Sequence, residues 1–378
     1  MSGSEDSICV VESIALELPL RRPVSFSTRR LISRSFCLVK VRTADDVEGI
    51  GYSYGGELIA HALDMVLAPT LLGKPANAIE QRWEEMYREA LLLGRRGVLL
   101  RAISAVDIAL WDILGQRAGL PLASLLGGSA TSVPCYFSGG YYRDDGNPED
   151  IRDEAARAVA AGFKSMKIKI GRNVREDVCR ATMAREVLGD ERRLALDANN
   201  AWSTATEALP ALRSFELLDP WWIEEPLLPD EIDGHAELRR HLATPIATGE
   251  IEATRWGFRA LVDARAADIL QPDACVMGGI SEWLKVAHLA GSVGIPLAPH
   301  WNADVHVHLA AATPNCLAVE YFALDEDVYN FDLILAEHLT VHDGQLKVPG
   351  LPGLGLVLDS DAVDRYQAWS NIRTVRNA

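Results

Sequence analysis

From residue 133 onward, the sequence alternates between short apolar segments and longer amphipathic segments, with a repeat of roughly 25 residues. Short apolar runs bounded by turn residues are typical of buried strands, and the amphipathic segments carry apolar residues at helical spacing. This alternation predicts successive βαβ units and a parallel sheet. The candidate strands are VPCYFSGG, FKSMKIKIG, RRLALDANN, PWWIEEPL, PIATGE, ADILQPDA, IPLAPH and LAVEYF.

The number of candidate strands matches a closed α/β barrel of the TIM type, although the segment is compact for one. An open, doubly wound sheet is the alternative architecture. A GxGxxG sequence would be expected after an early strand of a dinucleotide-binding sheet, and none is found there. We therefore predict a barrel that carries the active site over residues 131–324.

Residues 1–130 follow a different pattern, which predicts a separate α+β domain. Three candidate strands, ICVVESIALELPL, SFCLVKVRT and EGIGYSYGG, come first. The segments AIEQRWEEMYREAL and RAISAVDIALWDILGQRAG then carry apolar residues at the spacing of one helix face. The tail, residues 325–378, has a hairpin signal at Asp343-Gly344, and we expect it to pack back on this domain.

The overall charge restricts the partners that such a protein binds. A formal net charge of −16 argues against a general nucleic-acid or anionic-membrane surface, whereas a small anionic substrate is compatible with a locally positive pocket. Neither a secretory signal pattern nor a membrane-spanning run is found, so a cytoplasmic protein is predicted. The six cysteines are far apart and form no CxxC pair, which indicates reduced, mostly buried thiols.

Chemically active side chains stand at the end of each predicted strand after the first. Parallel strands of a barrel all point the same way, so these side chains converge at the carboxyl-terminal mouth, where barrels carry their active sites. Any one of them alone has an ordinary explanation, such as a solvated loop glutamate, but their recurrence on consecutive strands predicts a functional site. They are Lys167 and Lys169, Asp197 and Asn199, Glu224 and Glu225, Glu250, Asp273, His300, and Glu320.

Three carboxylates at this mouth, Asp197, Glu224 and Glu250, come from successive strands. Carboxylates held together repel one another unless a cation lies between them. Oxygen ligands on rigid strands suit Mg²⁺, and Mn²⁺ would fit similarly, whereas zinc usually recruits His or Cys. The sequence therefore predicts a magnesium site.

Two acid/base groups flank this predicted site. Lys167 and Lys169 point to the same face of one strand, so their charges repel, and we expect a lowered pKa for Lys169 that lets it accept a proton. Asp273 and His300 end the sixth and seventh strands, where a carboxylate would fix the tautomer of the imidazole. Such a pair suits a carbon acid that loses a proton on one face and reacts on either.

Several motifs, in their order and spacing, resemble the enolase superfamily and, within it, the mandelate racemase subgroup. The resemblance covers nearly the whole chain. It implies an N-terminal α+β capping domain over a modified (β/α)7β barrel, and Lys or His bases that work with Mg²⁺. The segment similar to the end of the capping domain is AISAVDIALWDILGQRAGLPLASLLGG, and those similar to the barrel motifs are KIK, LDANNAW, WIEEPL, ATGE, PDACVMGGIS, PH and VEYF.

The resemblance also implies a role for each residue at the mouth. Lys169 would be the base on one face of the substrate, with Lys167 assisting electrostatically. His300, paired with Asp273, would serve the other face. Glu320 would donate a hydrogen bond to the substrate carboxylate. The Mg²⁺ ligands would be Asp197, Glu224 and Glu250.

Two departures separate the chain from sister groups. The muconate cycloisomerase-like subgroup has a lysine on the sixth strand, whereas PDACVMGG has none. Glucarate dehydratases typically have Asn as the third metal ligand, where this chain has Glu250.

The implied reaction starts with removal of the proton α to a carboxylate, which gives an enediolate. When a β-hydroxyl is present, the enediolate expels it, with His300 as the proton donor, and a 2-keto-3-deoxy acid results. We favour such an acid sugar dehydratase over a racemase or epimerase of a 2-hydroxy acid that works by two-base 1,1-proton transfer. A noncatalytic metal-binding barrel is the alternative from another class, and the complete set of site residues argues against it.

Four residues are predicted to bind the substrate. The segment LPLRRPVSFSTRRLISRS, which includes Arg22, is expected to contain a mobile capping loop whose arginines bind hydroxyls or a second carboxylate. Tyr52 is expected in a second capping loop, Ser138 at the end of the first strand, and Asn199 two residues after Asp197.

A diacid such as galactarate is the narrower expectation for the substrate, because HVHLAAA and VEYF are similar to sequences in galactarate/talarate dehydratases. His306 and His308, one turn past the catalytic histidine, are interpreted as lying on a helix surface or behind the site residues. Relatives self-associate, so a homo-oligomer is expected.

Overall fold

The computed structural model of the chain describes residues 5–144 and 146–375. Its strands are β1 (Ile8–Ser25), β2 (Arg30–Thr43), β3 (Glu48–Tyr54), β4 (Ser132–Ser138), β5 (Ser165–Lys169), β6 (Arg193–Asp197), β7 (Ile223–Glu224), β8 (Ile246–Thr248), β9 (Ile269–Leu270), β10 (Val319–Tyr321), β11 (Val341–His342), β12 (Gln345–Lys347) and β13 (Gln367–Thr374).

The α-helices are α1 (Gly56–Ala62), α2 (Ala68–Leu71), α3 (Ile79–Ala90), α4 (Val98–Ala118), α5 (Leu122–Leu125), α6 (Asp150–Ala160), α7 (Val174–Leu188), α8 (Ala205–Arg213), α9 (Ile232–His241), α10 (Thr254–Asp263), α11 (Gly279–Ser292), α12 (Ala303–Ala311) and α13 (Ser360–Tyr366). A π-helical turn covers Leu63–Leu67, and 3-10 turns cover Glu216–Leu218, Leu324–Glu326 and Phe331–Ile334. In the described part of the chain, no helix is both long and apolar enough to cross a membrane.

The N-terminal strands form an antiparallel sheet in the order β13-β1-β2-β3. Helix α4 lies against β3, and two glycines of that strand allow the close approach. A β-carbon added to Gly49 would lie 2.1 Å from the backbone oxygen of Ala109, and one added to Gly51 would lie 2.0 Å from that of Ala105. Any side chain at these positions would therefore push the helix off the sheet.

The predicted barrel is present, and its strands β4 to β9 pair in parallel in chain order. The seventh position is reduced to single bridges of Leu297 to Leu270 and to Cys316. The final strand, β10, pairs in parallel with β4 and so closes the ring. Register matters for function, because Lys169 is paired with Asp197 and Asp197 with Glu224 across neighbouring strands.

The tail divides between the two sheets. Strands β11 and β12 form the expected hairpin, with Asp343 at φ 50° and Gly344 at φ 71°, as a tight hairpin turn requires. This hairpin extends β4 of the barrel, whereas β13 extends β1 of the N-terminal sheet. The expectation that the tail packs back on the N-terminal domain therefore fits β13 but not the hairpin, which lies on the barrel.

All six cysteines are free thiols. Cys37, Cys135 and Cys275 are buried, and Cys179 on α7 is exposed.

Candidate active site

The three predicted metal ligands lie together at the carboxyl-terminal mouth of the barrel. Asp197 ends β6, Glu224 ends β7, and Glu250 follows β8. Each offers a carboxylate oxygen, and these three oxygens all lie within 4.8 Å of one another. Asp197 and Glu224 are fully buried, and Glu250 is only 9% exposed. We call this group the carboxylate triad.

Neighbouring donors orient the carboxylates of the triad. Glu224 Oε2 accepts hydrogen bonds from Trp222 Nε1 at 2.9 Å and from Gln271 Nε2 at 2.6 Å. Asp197 Oδ1 accepts one from the backbone N–H of Asn199 at 2.9 Å. Such outer hydrogen bonds fix ligand orientation in metal sites.

The carboxylate oxygens of the triad have properties that fit a divalent cation. Glu250 Oε2 is buried and has no hydrogen-bond partner among the described residues, which is costly for a carboxylate oxygen. Burial and the nearby Asp197 charge raise the pKa of Glu224 to about 8. A cation among these oxygens would satisfy the orphan atom and relieve the repulsion, and hard oxygen donors suit Mg²⁺.

The two lysines are paired with these carboxylates. Lys167 Nζ lies 2.5 Å from Glu224 Oε1 and 2.8 Å from Glu320 Oε1, and Lys169 Nζ donates to Asp197 Oδ2. Burial would lower the pKa of Lys169, but the Asp197 carboxylate outweighs burial and holds that pKa above its usual value. The predicted lowering is wrong for this structure, because Asp197 on the next strand contacts Lys169 directly.

The imidazole of His300 lies at the other side of the triad. Its Nδ1 is 2.9 Å from Asp273 Oδ2, and its Nε2 is 3.6 Å from Glu250 Oε2. Asp273 also accepts from the backbone N–H of Cys275 at 2.8 Å and from Asn302 Nδ2 at 2.9 and 3.0 Å. Burial lowers the pKa of His300, but Glu250 and Asp273 outweigh it and raise that pKa to about 9.

Both further histidines of this region are buried, so the interpretation as helix surface is wrong. His306 Nε2 accepts the backbone N–H of Ala274 at 3.0 Å and lies 3.6 Å from Asp273 Oδ1. His308 Nε2 lies 2.9 Å from the backbone oxygen of Leu354. Burial lowers the pKa of each to about 4, so both are neutral at physiological pH. His306 lies directly behind the His300–Asp273 pair.

Glu320 accepts hydrogen bonds at both of its oxygens. Its partners are Ser138 Oγ at 2.6 Å, the backbone N–H of Trp301 at 2.8 Å, and Lys167. Burial would raise the pKa of Glu320, but the charges of Lys167 and His300 outweigh it and lower that pKa to about 2. An ionised carboxylate cannot donate, so the expected donor role does not fit this arrangement. Ser138 is fully buried on Glu320 and is therefore a positioning residue rather than a substrate contact.

A cavity of about 580 Å³ opens over these groups. Lys169, Glu250 and His300 line its barrel side, and Asn199 also lines it. The volume is ample for a six-carbon acid sugar.

Besides Ser138, two more of the predicted substrate contacts do not reach this cavity. Tyr52 is fully buried: its ring stacks on Phe331 at 3.9 Å, and its hydroxyl lies 3.1 Å from that of Tyr329. Arg22 lies near the end of β1, is exposed, and lies outside the cavity lining. The segment expected to contain a mobile capping loop forms β1 and β2 with a short turn between them. From the same segment, Arg29 and Arg34 line the cavity instead.

Sequence reasoning missed several residues of the site. Trp222 and Gln271 each lie two residues before a predicted site residue. Because side chains two residues apart on a strand point to the same face, their place at the site could have been predicted. Asn302 and Arg101 had no comparable signal. Asn302 enters through the turn after His300, and Arg101 lies within the periodic pattern of α4.

Known proteins share this architecture over the whole chain. Residues 10–127 match the mandelate racemase / muconate lactonizing enzyme N-terminal domain family, and residues 150–362 match the enolase C-terminal domain-like family. The chain belongs to the enolase superfamily, in its mandelate racemase subgroup. The predicted family and the predicted fold class are thereby confirmed.

Three relatives illustrate the similarity. The chain is 39% identical to an arabinonate dehydratase of Saccharolobus solfataricus, over 88% of this chain and 90% of that protein. It is 38% identical to an L-talarate/galactarate dehydratase of Salmonella typhimurium, over 91% and 87%. An L-talarate dehydratase of Polaromonas sp. JS666, solved with Mg and L-glucarate, superposes with a TM-score of 0.86 at 34% identity, over 98% and 99%. These relatives confirm the predicted Mg²⁺ cofactor and the predicted class of activity.

Proposed function

We propose that this protein is a Mg²⁺-dependent acid sugar dehydratase that removes the proton α to a carboxylate and eliminates the β-hydroxyl as water. The enol that forms becomes a 2-keto-3-deoxy acid. The observation that carries the proposal is the buried carboxylate triad with Lys169 in contact with one member and His300 beside another. Relatives that are named as dehydratases, and that align with about nine-tenths of this chain, support the proposal.

Asp197, Glu224 and Glu250 would hold the metal ion. When bound, Mg²⁺ supplies positive charge that neutralises the substrate carboxylate as the α-proton leaves. Lys167 adds a fixed positive charge from its position between Glu224 and Glu320. Because Lys167 is buried and held by both carboxylates, its charge needs no reorganisation during the reaction.

Lys169 would take the α-proton at its amine. The amine must be neutral for this step, and its contact with Asp197 opposes neutrality in the metal-free protein. A cation held by Asp197 would offset the charge of that carboxylate and so favour the neutral amine of Lys169. The metal site and the Lys169 amine would thus share the Asp197 carboxylate, so occupancy of the site would affect the protonation of the amine.

His300 would give its proton to the departing hydroxyl. With a pKa of about 9, it is protonated at neutral pH, as a proton donor must be. Asp273 holds the Nδ1 side, so Nε2 is the nitrogen that faces Glu250 and the cavity. The C–O bond then breaks with its electron pair on oxygen, and water leaves.

The test is turnover of a panel of aldonic and aldaric acids with Mg²⁺, followed by detection of 2-keto-3-deoxy acids and by proton NMR in D₂O. We expect a keto-deoxy product from at least one acid, and its loss in Glu250→Gln. Exchange of the α-proton without loss of water would favour the racemase. No product and no exchange across the panel would favour the noncatalytic barrel.

A diacid is the narrower proposal for the substrate. The capping-domain, barrel and tail boundaries at residues 1–130, 131–324 and 325–378, the cytoplasmic location and self-association stay predictions.

A further inference from the structure

A buried ion pair on α7 contacts the end of β5, the strand that carries Lys169. The pair consists of Asp177, which is fully buried, and Arg180, which is 7% exposed. Arg180 Nη1 lies 3.8 Å from Asp177 Oδ1. We call Asp177 and Arg180 the α7 ion pair. Neither residue lines the cavity over the active site, so any effect of the pair on the substrate has to pass through other residues.

Arg180 joins two neighbouring strand ends at the mouth of the barrel. Its Nη1 donates to the backbone oxygen of Lys169 at 3.0 Å, and its Nη2 donates to that of Gly140 at 2.6 Å. Lys169 is the last residue of β5, and Gly140 follows the end of β4 by two residues. The donors of a guanidinium form a rigid fork, so Arg180 holds these two carbonyl groups at a fixed separation.

Asp177 fixes the turn that follows Lys169. Its Oδ2 accepts the backbone N–H groups of Gly171, Arg172 and Asn173 at 2.8, 3.0 and 3.1 Å. Helix α7 is capped separately, because the side chain of Asn173 accepts from the N–H groups of its first turn. The three bonds to Asp177 therefore serve the turn between β5 and α7 rather than the start of the helix.

The loop after β4 carries two tyrosines that connect the α7 ion pair to the cavity. The centroid of the Tyr141 ring lies 4.8 Å from Lys169 Nζ, and Tyr141 lines the cavity. The hydroxyl of Tyr142 donates to Asp177 Oδ1 at 2.5 Å, and its ring centroid lies 4.3 Å from the guanidinium carbon of Arg180. The ion pair thus holds both the strand end that carries Lys169 and the loop whose ring faces the amine.

The same loop is bonded to the N-terminal domain. The backbones of Ser25 and Tyr142 exchange two N–H···O bonds of 2.8 and 2.9 Å. Ser25 is the last residue of β1, and the turn that follows it contributes Phe26, Thr28 and Arg29 to the cavity lining. Through Tyr142, the α7 ion pair therefore also supports the opposite side of the cavity.

We infer that Asp177 and Arg180 are positioning residues for the reaction, which fix the backbone of Lys169 and the loop of Tyr141 so that the amine reaches the α-proton. This inference rests on the proposed function, in which Lys169 removes that proton. Displacement of a reacting group by about 1 Å can lower a rate roughly 10²-fold. A buried ion pair contributes little net stability, because desolvation offsets the attraction, so a role in geometry accounts better for its bonds to one strand end.

The experiment compares Arg180→Met with a matched control on the same helix, Arg185→Met. Arg185 is half-buried and likewise donates to backbone oxygens, including those of Arg192 at 2.6 Å and Leu218 at 3.1 Å. Those two residues precede β6 and β7, at the opposite end of the barrel from Lys169. Both variants should lower the melting temperature, but only Arg180→Met should slow the reaction.

Arg180→Met should lower α-proton exchange and kcat for dehydration together, by roughly 10- to 100-fold, because one base serves both. KM should change less than kcat, and Mg²⁺ binding by calorimetry should persist, because the triad is untouched. Arg180→Lys should restore only part of the rate, since an ammonium replaces the fork that reaches two carbonyl oxygens. Tyr142→Phe loses only the hydroxyl bonded to Asp177 and should lower both rates about 2- to 10-fold, so it provides the test if Arg180→Met does not fold.

Wild-type rates in Arg180→Met would overturn the inference, as would activity losses in the two arginine variants that only follow their losses of stability. Loss of dehydration with normal exchange would also contradict it, because such a loss belongs to the His300 side. Crystal structures of both variants give a readout that needs no turnover: Lys169 should shift in Arg180→Met and stay in place in Arg185→Met. If the wild type neither exchanges nor dehydrates any acid, the proposed function fails, and these structures still decide whether the ion pair positions Lys169.

Discussion

The two walls of the cavity are built by different means. On the barrel wall, the active groups end adjacent strands in register, so backbone pairing places Lys169 beside Asp197 and Asp197 beside Glu224. On the capping wall, Arg34 and Arg101 come from a strand and a helix of a separate sheet and helix layer, and no pairing register relates them. The comparison teaches that the carboxylate triad and the two arginines of the cavity belong to separate scaffolds, so the capping wall can change without disturbing the groups of the barrel wall.

The largest effect is expected from Lys169→Ala on the barrel wall. Turnover should fall by roughly 10²- to 10⁴-fold or more, because the proposed base for the α-proton is removed. Steady-state kinetics and α-proton exchange in D₂O measure the loss, and the rates of turnover and of exchange should fall together. Mg²⁺ binding by calorimetry should persist, since the triad is intact. Near-normal turnover would show that Lys169 is not the base.

His300→Asn separates the two proton carriers of the barrel wall. Loss of water should fall by roughly 10²- to 10³-fold, because the leaving hydroxyl lacks its proton donor. Exchange of the α-proton should continue, because Lys169 is untouched. The two rates are compared by NMR on one sample. If exchange stops together with dehydration, His300 rather than Lys169 removes the proton.

Asn302→Ala tests whether His300 depends on the buried side chain that holds Asp273 in place. Asn302 Nδ2 bonds both oxygens of Asp273, and the Tyr329 hydroxyl lies 3.3 Å from Asn302 Oδ1. Without Asn302, Asp273 can rotate and release His300, so kcat should fall about 10-fold, as for loss of a hydrogen bond to a charge. KM should change little, because Asn302 is buried and does not line the cavity.

Tyr329→Phe is the matched variant for this prediction, because it removes a hydroxyl that is further from the His300–Asp273 pair and should lower kcat less than Asn302→Ala does. Equal losses in the two variants, or a rise in KM alone, would contradict a positioning role for Asn302.

The same contrast between walls explains what the sequence could predict. Residues that end parallel strands were predictable, because period-two alternation and a common strand direction decide where Asp197 or His300 must lie. The pKa of Lys169 was mispredicted because the repulsion from Lys167 is visible within one strand, whereas the attraction of Asp197 depends on register between strands.

The capping wall was less predictable for a physical reason. Tyr52 and Tyr54 share a strand face, yet Tyr52 is covered by Phe331 and only Tyr54 reaches the cavity. Which of two such residues is covered depends on the tail, far away in sequence. Arg101 is one polar residue at the start of a helix, and nothing local separates it from a solvated arginine.

The smallest expected effect concerns the joint between the walls, where α4 of the capping side packs on α11 of the barrel. There Asp107 accepts hydrogen bonds from the backbone N–H of Ser281 at 3.0 Å and from its hydroxyl at 2.6 Å. Burial raises the pKa of Asp107 to about 7, although these bonds oppose the rise. The folded protein therefore binds this proton more tightly than the unfolded chain. The resulting stability is fully present below the unfolded pKa and is lost as pH rises through about 7.

Asp107→Asn should remove this pH dependence, because the amide does not ionise. We expect the free energy of unfolding of the wild type to fall by about 1–2 kcal/mol more than that of the variant between pH 5 and pH 8. Denaturant titrations at both pH values measure this difference, and any constant loss from the altered Ser281 hydrogen bonds cancels in it. If the free energies of unfolding of the two proteins change equally between pH 5 and pH 8, Asp107 is ionised in the folded protein at both pH values. The contact between α4 and α11 would then tolerate a buried charge.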